Sequence, residues 1–483
     1  MQRIVISRLK FALANFSHPL RKGVVTPRQR KGLIGVAIVK LMFRLIVTAM
    51  TVFLFACGFD FDFIPDSAAA NVSEAVFDVS SGFIPFDEPE VEIEVKSHIV
   101  FIRYDEYILS MYEPPHGSYL GAFIEEDRLL AGDIGMFERM SGVNHAIYSY
   151  KYTLGNSFPV RFILQSLARS KTPLVEIRLP VPEDMYYQTN GEHYNFYELY
   201  ELIKDLAKAF GEFNVPMFIS FNASESGFDR DMNKEFYIML RKAFTEHAPK
   251  CAFVWGINME SVGYMFDYYP GDEWVDWVGI NAFSNITPEG GHSDIFEKLD
   301  IFYFAFQKRK PIMITGLGVS NFSTIDHSYR VAEASLVMND IYERISIRYP
   351  RIKAVIYSGH TRNFGRILQS YQLTDSERML AAYRDSTQSE WFISDIDTKS
   401  NGENISQWIL SRHIAKVVDG NIFILNKSFE DDFGIPLIEL NSHLEYLEIF
   451  DDKQFFNSRV LNNFGVQRVV IDESSKRVFI SNS

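Results

Sequence analysis

Between residues 119 and 357 the chain repeats one unit eight times, a short apolar run followed by a longer stretch, and this alternation restricts the possible folds more than any other feature. The runs are 119–124, 143–150, 174–179, 217–222, 252–257, 275–281, 312–315 and 352–357. Each has the length and β-branched or aromatic content of a buried strand. The intervening stretches 194–213, 231–246 and 329–348 carry apolar residues at three- and four-residue steps, the period of an amphipathic helix. Eight strands alternating with helices over roughly 240 residues is the arithmetic of an α/β fold of the (β/α)8 TIM-barrel type. A doubly wound open sheet is the alternative, but no Gly-rich phosphate turn follows the first strand.

The flanks differ in style. Residues 1–70 read as a basic leader and a signal or membrane-anchor segment: the first 44 hold ten Lys or Arg and no acid, and 32–58 are nearly all apolar. The uncharged core of this run, about fifteen residues, is short for a bilayer span of ~20 and suits an export signal. Cleavage after a lipobox-like Leu54-Phe55-Ala56 with lipidation of Cys57, cleavage near Ala68-Ala69-Ala70, and an uncleaved anchor all stay open. Each predicts that the remainder is exported, either extracellular or anchored to the outer face of the cytoplasmic membrane. Residues 71–115 read as a linker followed by short strands, the clearest at 90–96, where polar and apolar residues alternate. The barrel is expected over 116–395. A small β-rich domain is expected over 405–483, with strands at 421–425, 467–471 and 477–480 around a helix-like 458–464.

Composition excludes several classes of function. With 48 basic and 62 acidic residues the net charge is −14, and beyond residue 44 it is 38 against 62. A body this acidic repels phosphate backbones, so no nucleic-acid partner is expected. Two cysteines, Cys57 and Cys251, allow neither a disulfide framework nor a Cys-rich zinc module. No His-x-x-x-His pattern or carboxylate cluster suggests a metal, and no Gly-x-Ser-x-Gly elbow suggests a serine hydrolase, so no cofactor is expected.

In a barrel, chemistry sits at the carboxyl ends of the strands. Polar and aromatic residues expected there are His145, Tyr148 and Tyr150, then Glu176 and Arg178, then Asn222, Ser224 and Glu225. Later strands add Trp255, Asn258, Asn281, Thr315, His360 and Arg362. Rings for stacking and amides for hydroxyl recognition suit a polysaccharide or oligosaccharide. The substrate-binding set predicted from this pattern is His145, Tyr148, Asn222, Glu225, Trp255 and Asn281.

Phe253-Val254-Trp255-Gly256, followed by Tyr268-Tyr269-Pro270-Gly271-Asp272-Glu273-Trp274-Val275-Asp276-Trp277-Val278-Gly279-Ile280, resembles glycoside hydrolase family 26, the (β/α)8 clan of retaining β-mannanases and related endoglucanases. Supporting stretches begin at Gly117, Lys310 and Tyr349, and the resemblance spans residues 112–392. The long motif is mostly scaffold, with Pro270-Gly271-Asp272 reading as a turn that ends in a helix-capping Asp. It therefore speaks for fold more than activity. The resemblance implies two catalytic glutamates, an acid/base ending the fourth strand and a nucleophile ending the seventh. Here those positions hold Ser224 and Gly316. Glu225, one residue late, is the residual candidate for an acid, and Glu176 is a conceivable partner.

The expectation is therefore an exported family 26-like protein that has lost catalysis and binds β-mannan-like or other envelope polysaccharide. An active endo-glycosidase with relocated carboxylates is the second reading. A third is an envelope or spore module without a ligand, for which the C-terminal segment offers a faint resemblance to β-rich stalk domains of bacterial surface proteins.

Overall fold

The computed structural model describes residues 94–179, 196–466 and 468–481. The expected leader, Cys57 and most of the expected linker lie outside the described residues. Among those described, no helix is long and apolar enough to cross a membrane.

The chain first forms β1 (Lys96–Ile108) and then enters the barrel with β2 (Ser118–Phe123), β3 (Ile147–Thr153), β4 (Thr172–Arg178), β5 (Met217–Asn222), β6 (Cys251–Asn258), β7 (Trp277–Ser284) and β8 (Ile312–Val319). Two short strands, β9 (Phe322–Ser323) and β10 (Ser328–Tyr329), precede the eighth barrel strand, β11 (Ile352–Ser358). Every neighbouring pair is parallel, and β11 pairs with both β8 and β2. That last ladder, from Ala354 opposite Tyr119 to Ser358 opposite Phe123, closes the sheet and excludes the open doubly wound alternative. All eight predicted strands are present, but the second begins four residues later than its apolar run, a shift that matters below.

Among the described residues seven helices accompany these strands: α1 (Ile134–Ser141), α2 (Val160–Leu167), α3 (Phe196–Phe213), α4 (Arg230–His247), α5 (Phe296–Phe306), α6 (Val331–Arg348) and α7 (Glu377–Ser386). Asp229 starts α4 by accepting the backbone N–H groups of Asp231 and Met232, and Ser376 starts α7 in the same way. After β6 the chain makes a 3-10 run, Met259–Asp267, in place of an α-helix. Asp272 caps nothing: its carboxylate accepts the Tyr269 hydroxyl at 2.6 Å and the Arg309 guanidinium at 2.8 and 3.0 Å.

Strand alternation divides the core into two sets. Tyr119, Ile147, Leu174, Phe218, Val254, Trp277, Met313 and Ile356 point inward and fill the barrel. Their neighbours, among them Tyr148, Val175, Phe221, Trp255, Val278 and Tyr357, point outward and pack with helix residues such as Ile203, Phe236, Phe302 and Met338.

Beyond the barrel come β12 (Thr361–Phe364), β13 (Ile367–Ser370), β14 (Phe392–Ile393), β15 (Asn404–Val418), β16 (Asn421–Leu425), helix α8 (Asn426–Phe433), β17 (Leu447–Phe450), β18 (Lys453–Asn457), β19 (Arg468–Asp472) and β20 (Arg477–Ser481). β10, β9, β13 and β12 form a four-stranded sheet from the segments that follow β8 and β11. The remaining strands, β14 apart, join β1 in a seven-stranded sheet in which β1 lies antiparallel to β15 and parallel to β20. One face of this sheet, with Val100, Ala415, Ile424 and Val478, packs against Phe429, Leu440 and Leu461. The other, with Phe101, Trp408 and Phe479, meets the barrel. Of the alternating segment 90–96 only 94–96 are described, with β1 starting at Lys96, and one 13-residue strand takes the place of the short ones expected after it.

Candidate functional site at the barrel mouth

The carboxyl ends of the strands bring together a connected set of polar side chains. Asn258, the last residue of β6, is its hub. Its Oδ1 accepts the amides of Asn222 at 2.9 Å and Asn281 at 3.0 Å, and its own amide donates to Glu225 Oε1 at 3.1 Å. The Asn258 backbone N–H donates to Ser224 Oγ at 3.0 Å. Glu225 Oε2 accepts Arg178 Nη2 at 3.1 Å, while Nε of the same guanidinium donates to Glu176 Oε1 at 2.7 Å. On the far side Thr315 Oγ1 donates to Asn281 Oδ1 at 2.8 Å. The network thus runs unbroken from β4 to β8, which fixes the rotamers of its members.

An aromatic wall completes the mouth. Lys151 Nζ lies 4.2 Å from the centre of the Phe123 ring and 3.3 Å from Glu126 Oε1, and burial lowers its pKa. His360 meets Phe123 and Phe283 edge-on, each at 5.7 Å. Phe283 also packs on Tyr371 at 4.9 Å and lies 4.4 Å below the Arg362 guanidinium. The Tyr371 hydroxyl donates to Asn285.

Of the predicted binding residues, Asn222, Glu225 and Asn281 meet here. His145, Tyr148 and Trp255 do not: each has a fully buried side chain elsewhere. His145 precedes β3 and so lies at the amino end of that strand, stacked between Phe137 and Tyr383, with Nε2 2.8 Å from the Tyr383 hydroxyl and Nδ1 3.1 Å from that of Tyr148. Tyr148 and Trp255 have outward parity and belong to the helix-facing core. Tyr150, also named from the sequence, faces outward too and stacks on Phe162 of α2. Lys151, Phe283 and Tyr371 escaped the sequence reading. Lys151 was legible in principle, since ending the second strand at Thr153 would have placed it on the inward face.

Ser224 and Gly316, the positions where the sequence resemblance expects glutamates, both lie in the mouth. Ser224 is held by Asn222, whose Oδ1 accepts its backbone N–H at 3.0 Å. Gly316 sits at a bulge: Ile280 pairs with Ile314, yet the next residue, Asn281, pairs with Gly316. A Cβ on Gly316 would come within 2.9 Å of Asn281 Oδ1. The bulge thus spends one residue and leaves Asn281 occupying the space into which a side chain at 316 would point.

A retaining glycosidase needs two carboxyl groups ~5 to 5.5 Å apart across the scissile bond. Glu176 on β4 and Glu225 in the 3-10 turn after β5 stand instead on one side of the mouth, with Arg178 bridging them. Among the described residues no three His, Cys, Asp or Glu side chains converge as a metal would require.

No family model matches the chain, and neither does any curated protein. Among solved structures, a GH26 β-mannanase from Bacteroides ovatus is similar at 13% identity, over 60% of this chain and 93% of that one, with a TM-score of 0.43. A Cellulomonas fimi endo-β-1,4-mannanase double mutant gives 13%, 71%, 88% and 0.44 by the same measures. Cel5A from Thermotoga maritima, solved with cellobiose, gives 11%, 55%, 97% and 0.41. Likeness at these levels says nothing about chemistry, and the barrel stands on its own strand pairing.

Two buried histidines make a testable mark on stability. Burial pushes the pKa of His145 and of His360 from 6.5 down to about 3. The unfolded chain therefore binds protons that the folded chain refuses, so their contribution is full above pH 6.5 and is lost as pH falls toward 3. Urea midpoints are expected to decline through this window, and His145→Gln, though less stable at pH 7, to show a shallower decline.

Proposed function

We propose that this protein is an exported, catalytically degenerate barrel of the glycoside hydrolase family 26 kind that binds β-mannan-like or other envelope polysaccharide at its mouth. The observation that carries the reading is the rebuilt seventh strand, where Gly316 offers no nucleophile and Asn281 takes the space before it. Ser224 in the acid/base position, and the Arg178 bridge between Glu176 and Glu225, support it. The rings of Phe283 and Tyr371, beside the amides of Asn222, Asn258 and Asn281, supply apolar faces and hydroxyl partners of the kind a sugar requires. Export rests on the basic and apolar leader alone.

The test is titration calorimetry with manno- and gluco-oligosaccharides. Asn281→Ala and Arg178→Ala are expected to weaken binding about tenfold or more, roughly 1.4 kcal/mol. Arg178 is 37% exposed in its side chain, so its removal is expected to change stability by no more than about 1 kcal/mol. Saturable binding by the parent that neither variant weakens would remove the mouth as the site. A second reading, hydrolysis by relocated carboxylates, is favoured by one observation: the Glu225 side chain is 30% exposed at the mouth. Activity lost in Glu225→Gln would establish it.

A further inference from the structure

A cleft of about 670 Å³ lies away from the mouth, at the seam where β1 and β15 meet the end of α5. Its volume falls within the ~300 to 1,000 Å³ range of small-molecule sites. Ile409 and Leu410 form a buried apolar floor. The backbone of Leu410 is already satisfied there, its N–H donating to Gln307 Oε1 and its carbonyl accepting Gln307 Nε2, both at 2.9 Å. Recognition in this cleft therefore falls to side chains.

Those side chains are cationic, against the −14 charge of the whole chain. Arg103, Lys308, Arg309 and Arg412 line the cleft, against two carboxylates, Asp431 and Asp432. Both acids are engaged outside the cleft's cation set: Asp431 accepts His413 at 2.7 Å, and Asp432 accepts the hydroxyls of Ser411 and Ser428. Arg103 pairs with Asp105, and Arg309 with Asp272. Lys308 and Arg412 have no carboxylate partner among the described residues, and the centre of the Arg412 guanidinium lies 4.8 Å from the centre of the Phe304 ring. Tyr104, a residue 37% exposed, adds a ring that packs on no other ring among the described residues.

We propose that this seam cleft is a second binding site, for an acidic saccharide carrying uronate carboxylates. The Arg412 guanidinium, placed over Phe304, brings its forked donors to a carboxylate, Lys308 adds a point charge, and Tyr104 offers a face for the apolar side of a sugar ring. Side-chain cations on two walls, with no Gly-rich turn of free N–H groups, suit carboxylates spaced along a chain better than one phosphate group. The site is independent of the mouth, sharing no residue with it.

The experiment titrates the purified full chain with oligogalacturonate, with neutral manno-oligosaccharide and with tripolyphosphate. Saturable binding of oligogalacturonate is expected, weakened by salt, at least tenfold tighter than any binding of tripolyphosphate, and not displaced by the neutral oligomer. Arg412→Glu combined with Lys308→Glu is expected to reduce it tenfold or more, while Arg178→Ala at the mouth leaves it unchanged. Both reversed side chains are exposed, and the thermal midpoint of the double variant checks that it folds. Four results overturn the proposal: no saturable binding of oligogalacturonate, displacement by the neutral oligomer, equal affinity for tripolyphosphate, or indifference to the double reversal.

Discussion

Replacing Arg351 by alanine is expected to destabilise the protein by about 3 to 5 kcal/mol, among the largest effects any single substitution will have. Arg351 and Glu113 have no exposed side-chain surface and lie 2.6 Å apart. Arg351 Nε donates to the Gln307 carbonyl at 3.0 Å, and its guanidinium lies 3.9 Å from the centre of the Tyr107 ring. Glu113 accepts the Tyr107 hydroxyl at 2.9 Å and the Ser110 N–H at 3.0 Å. Tyr107 belongs to β1 and Arg351 directly precedes β11, so the pair fastens the seven-stranded sheet to the amino end of the barrel. Removing either partner strands a charge where water cannot reach it. The double variant Arg351→Met, Glu113→Leu is expected to be more stable than either single truncation, because no buried charge is left alone. Urea unfolding of the three variants measures this, and a cost below about 1 kcal/mol for Arg351→Ala would show that the pair is not buried as described.

Trp277→Ala carries the second large effect, about 3 to 5 kcal/mol by the usual cost of emptying a buried aromatic site. Trp277 opens β7 on the inward face with no exposed surface, meeting Phe218 edge-on at 5.4 Å and Tyr119 at 6.5 Å. Its Nε1 donates to the Met111 carbonyl at 2.7 Å, which ties the segment entering the barrel to the barrel's inner core. Trp277→Phe restores most of the ring but leaves the Met111 carbonyl unpaired, so an intermediate cost of about 1 to 3 kcal/mol is expected. Thermal unfolding of the two variants separates packing from hydrogen bonding.

These residues also mark how far sequence reading reached. The eight strands were legible because buried parallel strands are continuous apolar runs, and β5 was placed to the residue. Parity within a strand was not, because an apolar run does not show where the ladder starts. The run at 143–150 begins four residues before β3, and that offset put His145 and Tyr148 in the site and left Lys151 out. The bulge at Gly316 was equally hidden, since it arises from pairing with β7 and not from any local signal. The place of Asn222, Glu225 and Asn281 at the mouth was legible because a polar residue at or just past the end of a buried run lies at the carboxyl end of its strand. Their convergence on Asn258 and Arg178 needed three dimensions. So did the pairing of β1 with β15, which joins residues some three hundred positions apart.

The central claim, a sugar-binding barrel without hydrolysis, is tested most directly by mass analysis of manno- and gluco-oligosaccharides after long incubation with the purified protein. Intact oligosaccharides, recovered from a preparation that binds them, are the predicted result. Shortened products that disappear with Glu225→Gln would contradict it and make the Arg178-bridged carboxylates a working catalytic pair.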